Sequence, residues 1–249
     1  MERKKLRIAG KIDGFVNSLK WPSALLACCA APLFAFALAS LAWRILTSPW
    51  SLLPFAFGCV AFVIIWRRVF GPRRWGRFLI TLEHESTHAL FALLTGHRII
   101  SFKASLGRGG EVRYTGPGNW LITVAPYFFP TASLILFLLA YLLPFPGLPW
   151  RGLLLGVSLG YHVISTYRET HRDQSDIQEL GKTFCWLFLP AANLAVVGLL
   201  ISFAHGGSEG LSDWFADILW PVEFLRESIF GVSESSVAGT IDGVLDESR

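Results

Sequence analysis

Residues 81–94 read TLEHESTHALFALL, and the reading of this stretch decides how the rest of the chain is understood. Four ionisable residues, Glu83, His84, Glu85 and His88, stand in a run otherwise apolar enough for a membrane interior. His84 and His88 are four apart, so on a helix they share one face, a turn apart, where two imidazole nitrogens can grip one zinc ion. Glu85 projects about 100° round from His84, close enough to hold a water beside that ion. The pattern is H-E-x-x-H, in which a helix presents a metal and a general base together. Scattered at random, the six His and eleven Glu of the chain would produce this spacing about 0.006 times. The plainer alternative is a polar helix face satisfied by its neighbours. It carries a cost, because each ionisable group at membrane depth costs about 2.5–3.5 kcal/mol even on lenient insertion scales. A bound cation offsets it.

The composition around this stretch is that of a polytopic membrane protein. Of 249 residues, 53% are hydrophobic and 16% charged, with ten Trp, and one membrane domain is the natural count. Cys28, Cys29, Cys59 and Cys185 lie in apolar runs without a C-x-x-C pair, which indicates neither a disulfide framework nor a thiolate zinc site and reads as buried thiols. Residues 1–20 carry six Lys/Arg against two acids, whereas residues 205–249 carry nine acids against two Arg. The basic end suits an anionic membrane surface and not nucleic acid. No cleavable signal peptide is read, since the first apolar run begins near Ser23 and is long enough to span.

Residues 1–20 form a basic juxtamembrane segment with Ile8, Ile12, Phe15 and Leu19 on one side of a short interfacial helix. Residues 23–46 and 50–66 are apolar runs joined by a tight turn and read as a transmembrane hairpin with Trp43, Trp50 and Trp66 as interfacial anchors. After the basic loop RRVFGPRRWGR, the motif helix is expected over residues 78–95, ended by Gly96. Residues 101–114 alternate about a Gly-rich turn and predict a β-hairpin, with Gly109, Gly110, Glu111 and Val112 as the strand that can pair with an extended peptide. The next span, residues 120–143, carries Pro126 and Pro130, which should kink it. After the turn at 144–150, Gly152, Gly156 and Gly160 form a small-residue ridge for close helix packing in the span over residues 152–167.

A catalytic zinc usually takes three protein ligands, and the motif supplies two. The polar stretch RETHRDQSDIQELG, residues 168–181, is where the third must lie. Asp176, at the start of the helix leading into the apolar run 184–203, is placed best to reach inward from a membrane boundary. Glu169, Asp173 and His171 are its competitors. Residues 205–249 leave the membrane as an acidic tail, with an interfacial helix over 213–230 interrupted at Pro221 and a flexible end over the last twenty residues. The organisation is therefore a juxtamembrane segment (1–20), a membrane-embedded domain (21–204, core 77–204) and the tail (205–249). The fold class is an all-α polytopic membrane protein of about six transmembrane helices with a small β-hairpin near the zinc site.

Over residues 77–200 the chain resembles the site-2 protease family of intramembrane zinc metalloproteases. HESTHALFALLTG resembles the family's zinc helix, Arg108-Gly109-Gly110-Glu111-Val112 its membrane-associated hairpin, and Ala125-Pro126 stands where the family usually has Gly-Pro. The family's commonest third-ligand signature, Asn and prolines leading to Asp-Gly, is replaced by QSDIQ. The resemblance implies one Zn2+ per chain on His84, His88 and Asp176, with Glu85 as the general base. It also implies regulated intramembrane proteolysis in a bacterial cytoplasmic membrane, of a substrate such as an anti-sigma factor or a precursor with a single span. The E-x-x-x-D spacing of Glu169 and Asp173 also looks like membrane-embedded metallopeptidases in which Glu169 would bind zinc. From another class, a membrane scaffold or a zinc-binding sensor without turnover fits the same composition. A transporter fits less well, since no internal repeat is found. With six spans, the segments on the N-terminal side hold fourteen Lys/Arg and the others seven. The charge rule then turns the catalytic mouth outwards, whereas the resemblance implies a mouth towards the cytoplasm.

Overall fold

The computed structural model describes residues 2–106, 109–142, 149–170 and 174–231. Arg108, most of the expected turn at 144–150 and all but the start of the expected flexible end lie outside the described residues. In chain order the helices are α1 (Glu2–Ser18), α2 (Lys20–Thr47), α3 (Leu53–Ile65, continued by a π turn over Trp66–Phe70) and α4 (Arg74–Leu94). After strands β1 (Ile99–Ser105) and β2 (Gly109–Tyr114) come α5 (Trp120–Val124), α6 (Thr131–Leu142), α7 (Trp150–Glu169), α8 (Ser175–Leu180) and α9 (Lys182–Arg226).

Among the described residues, three helical stretches are long and apolar enough to cross a membrane: Lys20–Thr47, Pro49–Phe70 and Lys182–Ile229. These match three of the six expected spans. α4 and α7 have comparable length, at 21 and 20 residues, but their polar faces lower their apolarity. The expected span at 120–143 is broken into α5, a 3-10 turn at Ala125–Tyr127 and α6. The two prolines explain the break, because each lacks an amide hydrogen and disfavours helix in the residue before it. The motif helix forms as expected, and the left-handed Gly96 (φ 84°) ends it.

The glycine ridge of α7 packs on α3. A Cβ at Gly156 would overlap the Phe55 carbonyl, and one at Gly58 the Leu153 carbonyl, so the two backbones touch from both sides. Phe55, Leu155 and Leu159 close this contact against Leu200 of α9. Trp66 is no interfacial anchor: it is buried between Phe62 and Tyr161, whereas Trp43 and Trp50 are exposed. Nor are all the thiols buried, since Cys28 and Cys29 are exposed on α2.

α9 is a helical hairpin. Gly207 (φ 60°, ψ −134°) reverses the chain, and the arms pack through Gly198 against the Trp214 indole and Gly210 against the Ser202 carbonyl. The returning arm lies along α2, with Arg44 paired to Asp217 and Phe36 stacked on Trp220 at 5.4 Å. It runs helically through Pro221, where an interruption was expected.

α1 sits at the end of the molecule that holds the hairpin. Asn17 accepts from the Trp120 amide at 3.1 Å, the Trp120 indole donates to the Val16 carbonyl, and Lys20 donates to the Leu180 carbonyl at 2.9 Å. The basic segment thus shares one end with loops 97–119 and 174–181, where strict six-span alternation would have separated them.

Candidate metal centre

α4 presents His84 and His88 one turn apart towards the first turn of α8, which carries Asp176. His84 Nε2 and His88 Nε2 are 3.1 Å apart, and Asp176 Oδ2 lies 3.3 Å from the first and 3.2 Å from the second. A tetrahedral zinc with bonds of 2.0–2.1 Å separates its ligand atoms by about 3.3 Å, so this triangle fits one face of such a site. The triad is the one group of at least three His, Cys, Asp or Glu among the described residues that converges in this way.

The tautomers agree. His88 Nδ1 meets the Ile122 carbonyl at 2.8 Å, and since a carbonyl only accepts, that nitrogen carries the hydrogen and the neutral ring presents its lone pair at Nε2. The carbonyl is available because its helical partner four residues on is Pro126, which has no amide hydrogen. Tyr127, just beyond, donates its hydroxyl to Asp176 Oδ2 at 3.1 Å and stands edge-on to the His84 ring. Burial pushes the Asp176 carboxyl up; with the rings protonated instead of neutral, hydrogen bonds and charge from His84 and His88 outweigh it and hold the group well below the usual carboxylate range.

Glu169, the chief competitor, stands behind the site. Its Oε2 is 3.7 Å from His84 Nδ1, a buried atom with no hydrogen-bond partner, and Gln174 donates to the same oxygen at 2.8 Å. That is the place of a carboxylate that orients a ligating imidazole from its far nitrogen. His171 and Asp173 lie outside the described residues. The remaining ionisable residue of the stretch 81–94, Glu83, faces away: its carboxylate accepts from the Ala132 amide at 3.0 Å and the Ser165 hydroxyl at 2.9 Å, tying α6 and α7 to α4.

Glu85 is buried beside the triad, under β2. A Cβ at Gly110 would run into the Glu85 side chain, so only glycine lets the strand lie this close. The strands pair antiparallel, Phe102 opposite Val112 and Ala104 opposite Gly110. Gly109, Gly110, Glu111 and Val112 line a polar cavity of about 510 Å³ together with His84, Glu85, His88 and Asp176. Tyr127 and Glu169 escaped sequence reasoning as supports of the site. Their signals were a Tyr in a proline-broken apolar run and an acid at the end of a helix.

A family described as Peptidase M50B-like matches residues 55–165, from α3 to α7. The match supports membership in the site-2 (M50) family of membrane peptidases. Asp176 lies beyond the matched stretch, so its place beside the two histidines comes from the tertiary structure alone. No curated protein and no solved structure matches the chain.

Proposed function

We propose that this chain is a zinc-dependent endopeptidase that hydrolyses a peptide bond of a membrane-spanning or membrane-associated protein. The observation that carries the reading is the convergence of His84, His88 and Asp176 beside Glu85, in a cavity roofed by β2. His84, His88 and Asp176 would hold the metal, and a bound zinc supplies Lewis acidity that acidifies a water and polarises a carbonyl. Glu85 takes the proton of the attacking water and returns it to the leaving amine. A transmembrane helix hides its carbonyls in its own hydrogen bonds, so the scissile segment must be held extended. The outer edge of β2 at Gly109, Gly110, Glu111 and Val112 offers backbone groups for that pairing.

The mouth faces the cytoplasm in this reading. Residues 1–20 carry six Lys/Arg against two acids, α1 shares its end with the hairpin and α8, and the positive-inside rule then puts segment and mouth on one side. The membrane implied is the cytoplasmic membrane of a bacterium.

The test compares wild type with Glu85→Gln, purified in detergent, for zinc by elemental analysis and for cleavage of a reconstituted single-span substrate. Both should hold about one zinc per chain, while cleavage falls by about 10²–10⁴-fold in the variant. Cleavage that survives in Glu85→Gln, or a wild type without zinc, overturns the reading. Zinc held with no turnover in either protein makes the chain a scaffold or sensor.

A further inference from the structure

A second cavity, of about 570 Å³, opens between α7 and the first arm of α9. Its walls are apolar, and its rim residues Tyr167 and Trp186 are 84% and 74% exposed, so it opens sideways onto the membrane-facing surface. Three polar features interrupt the apolar lining. His162 is only 3% exposed, yet its Nε2 has no hydrogen-bond partner. Pro190 withdraws the amide that would have bonded the Trp186 carbonyl. Lys182, at the boundary end where α9 begins, has no ion pair among the described residues.

A buried ring nitrogen left without a partner is costly in an apolar slot, and an acyl chain has no atom to satisfy it. A helix of a partner protein does. We infer that this groove docks one transmembrane helix that carries an acidic residue at the boundary, opposite Lys182, and a hydroxyl or amide side chain deeper in, opposite His162. The depth follows from α9: Asn193, which lines the groove with His162, is eleven residues beyond Lys182, or about 16 Å along a helix. The groove also communicates with the metal centre. Asn193 donates to the Tyr127 carbonyl at 3.1 Å, and the Tyr127 hydroxyl donates to Asp176. A helix seated there lies one side chain from the donors that hold the metal. As a route for substrate this inference rests on the proteolytic reading, but the docking itself does not.

The experiment uses full-length Glu85→Gln in lipid nanodiscs, so that no probe is consumed. The probe is a synthetic Leu/Ala helix with Asp near one end and Ser eleven residues further in, matching the Lys182 to Asn193 interval. Binding is read by energy transfer from the protein's tryptophans to an acceptor on the probe. The Asp/Ser probe should bind about tenfold more tightly than an all-apolar one. Lys182→Glu should lose that preference and regain it for a probe with Lys in place of Asp, a rescue that misfolding cannot mimic. His162→Leu should abolish the preference for Ser over Leu. Equal binding of both probes to the unmodified groove, or a charge swap without rescue, overturns the inference. Probe preference in a protein that cleaves nothing leaves the groove standing and removes the peptidase.

Discussion

Two His and Asp clusters, one buried and one half-buried, are built from the same residue types and do opposite things. In the first, Asp13 of α1 accepts from the Asn119 amide at 2.8 Å and from His97 Nε2 at 3.1 Å, and His97 Nδ1 meets the Thr95 hydroxyl at 3.2 Å. Donors face acceptors throughout, and the cluster clamps α1 to the base of the β-hairpin. In the second, His84, His88 and Asp176 turn lone pairs towards a common point, and one ring nitrogen of His84 is left without a partner. A cluster short of hydrogens calls for a cation, and a cluster with a hydrogen for every acceptor is finished. Residue type alone does not separate them.

The sharpest way to break this comparison is metal content. Asp176→Ala should lower zinc affinity by more than about a hundredfold, whereas Asp13→Ala should leave the stoichiometry of the folded protein unchanged in the same elemental analysis. Zinc lost from both would make the two clusters one system. Stability should respond the other way round. Stripping Asp13 from its buried partners should cost about 3 kcal/mol, seen as a lowered thermal midpoint in detergent, and an unchanged midpoint would show that the clamp holds nothing.

Smaller changes sharpen the contrast within the metal cluster. Glu169→Gln keeps the shape behind His84 but not the charge, and should weaken zinc by about 10–100-fold in a chelator competition. A loss as large as that of Asp176→Ala would make Glu169 a ligand instead of a support. Gly110→Ala pushes a methyl group into Glu85; it should slow cleavage on the order of tenfold by misplacing the base, with zinc content unchanged.

Much of the site was legible because it is local. His84, Glu85 and His88 lie within two turns of one helix, and helical geometry alone puts them side by side. The hairpin was legible from alternation and its glycines, and the break at 120–143 from Pro126 and Pro130. The span count was less so, because apolar content does not tell a helix that crosses the bilayer from one packed inside the protein. Trp66 shows this at a single residue: its composition context suits a membrane boundary, yet Phe62 and Tyr161 bury it.

The sequence by itself determined the metal motif, the helix that carries it, the hairpin and the membrane character, since each rests on spacing over a few residues. Only the tertiary structure decided that Asp176, 88 residues beyond His88, completes the triad while Glu169 stands behind His84. It alone brought Tyr127 to Asp176, folded α9 back at Gly207 and set α1 beside the hairpin. These are meetings of segments far apart in the chain. They depend on how whole helices pack, and no short-range pattern encodes that packing.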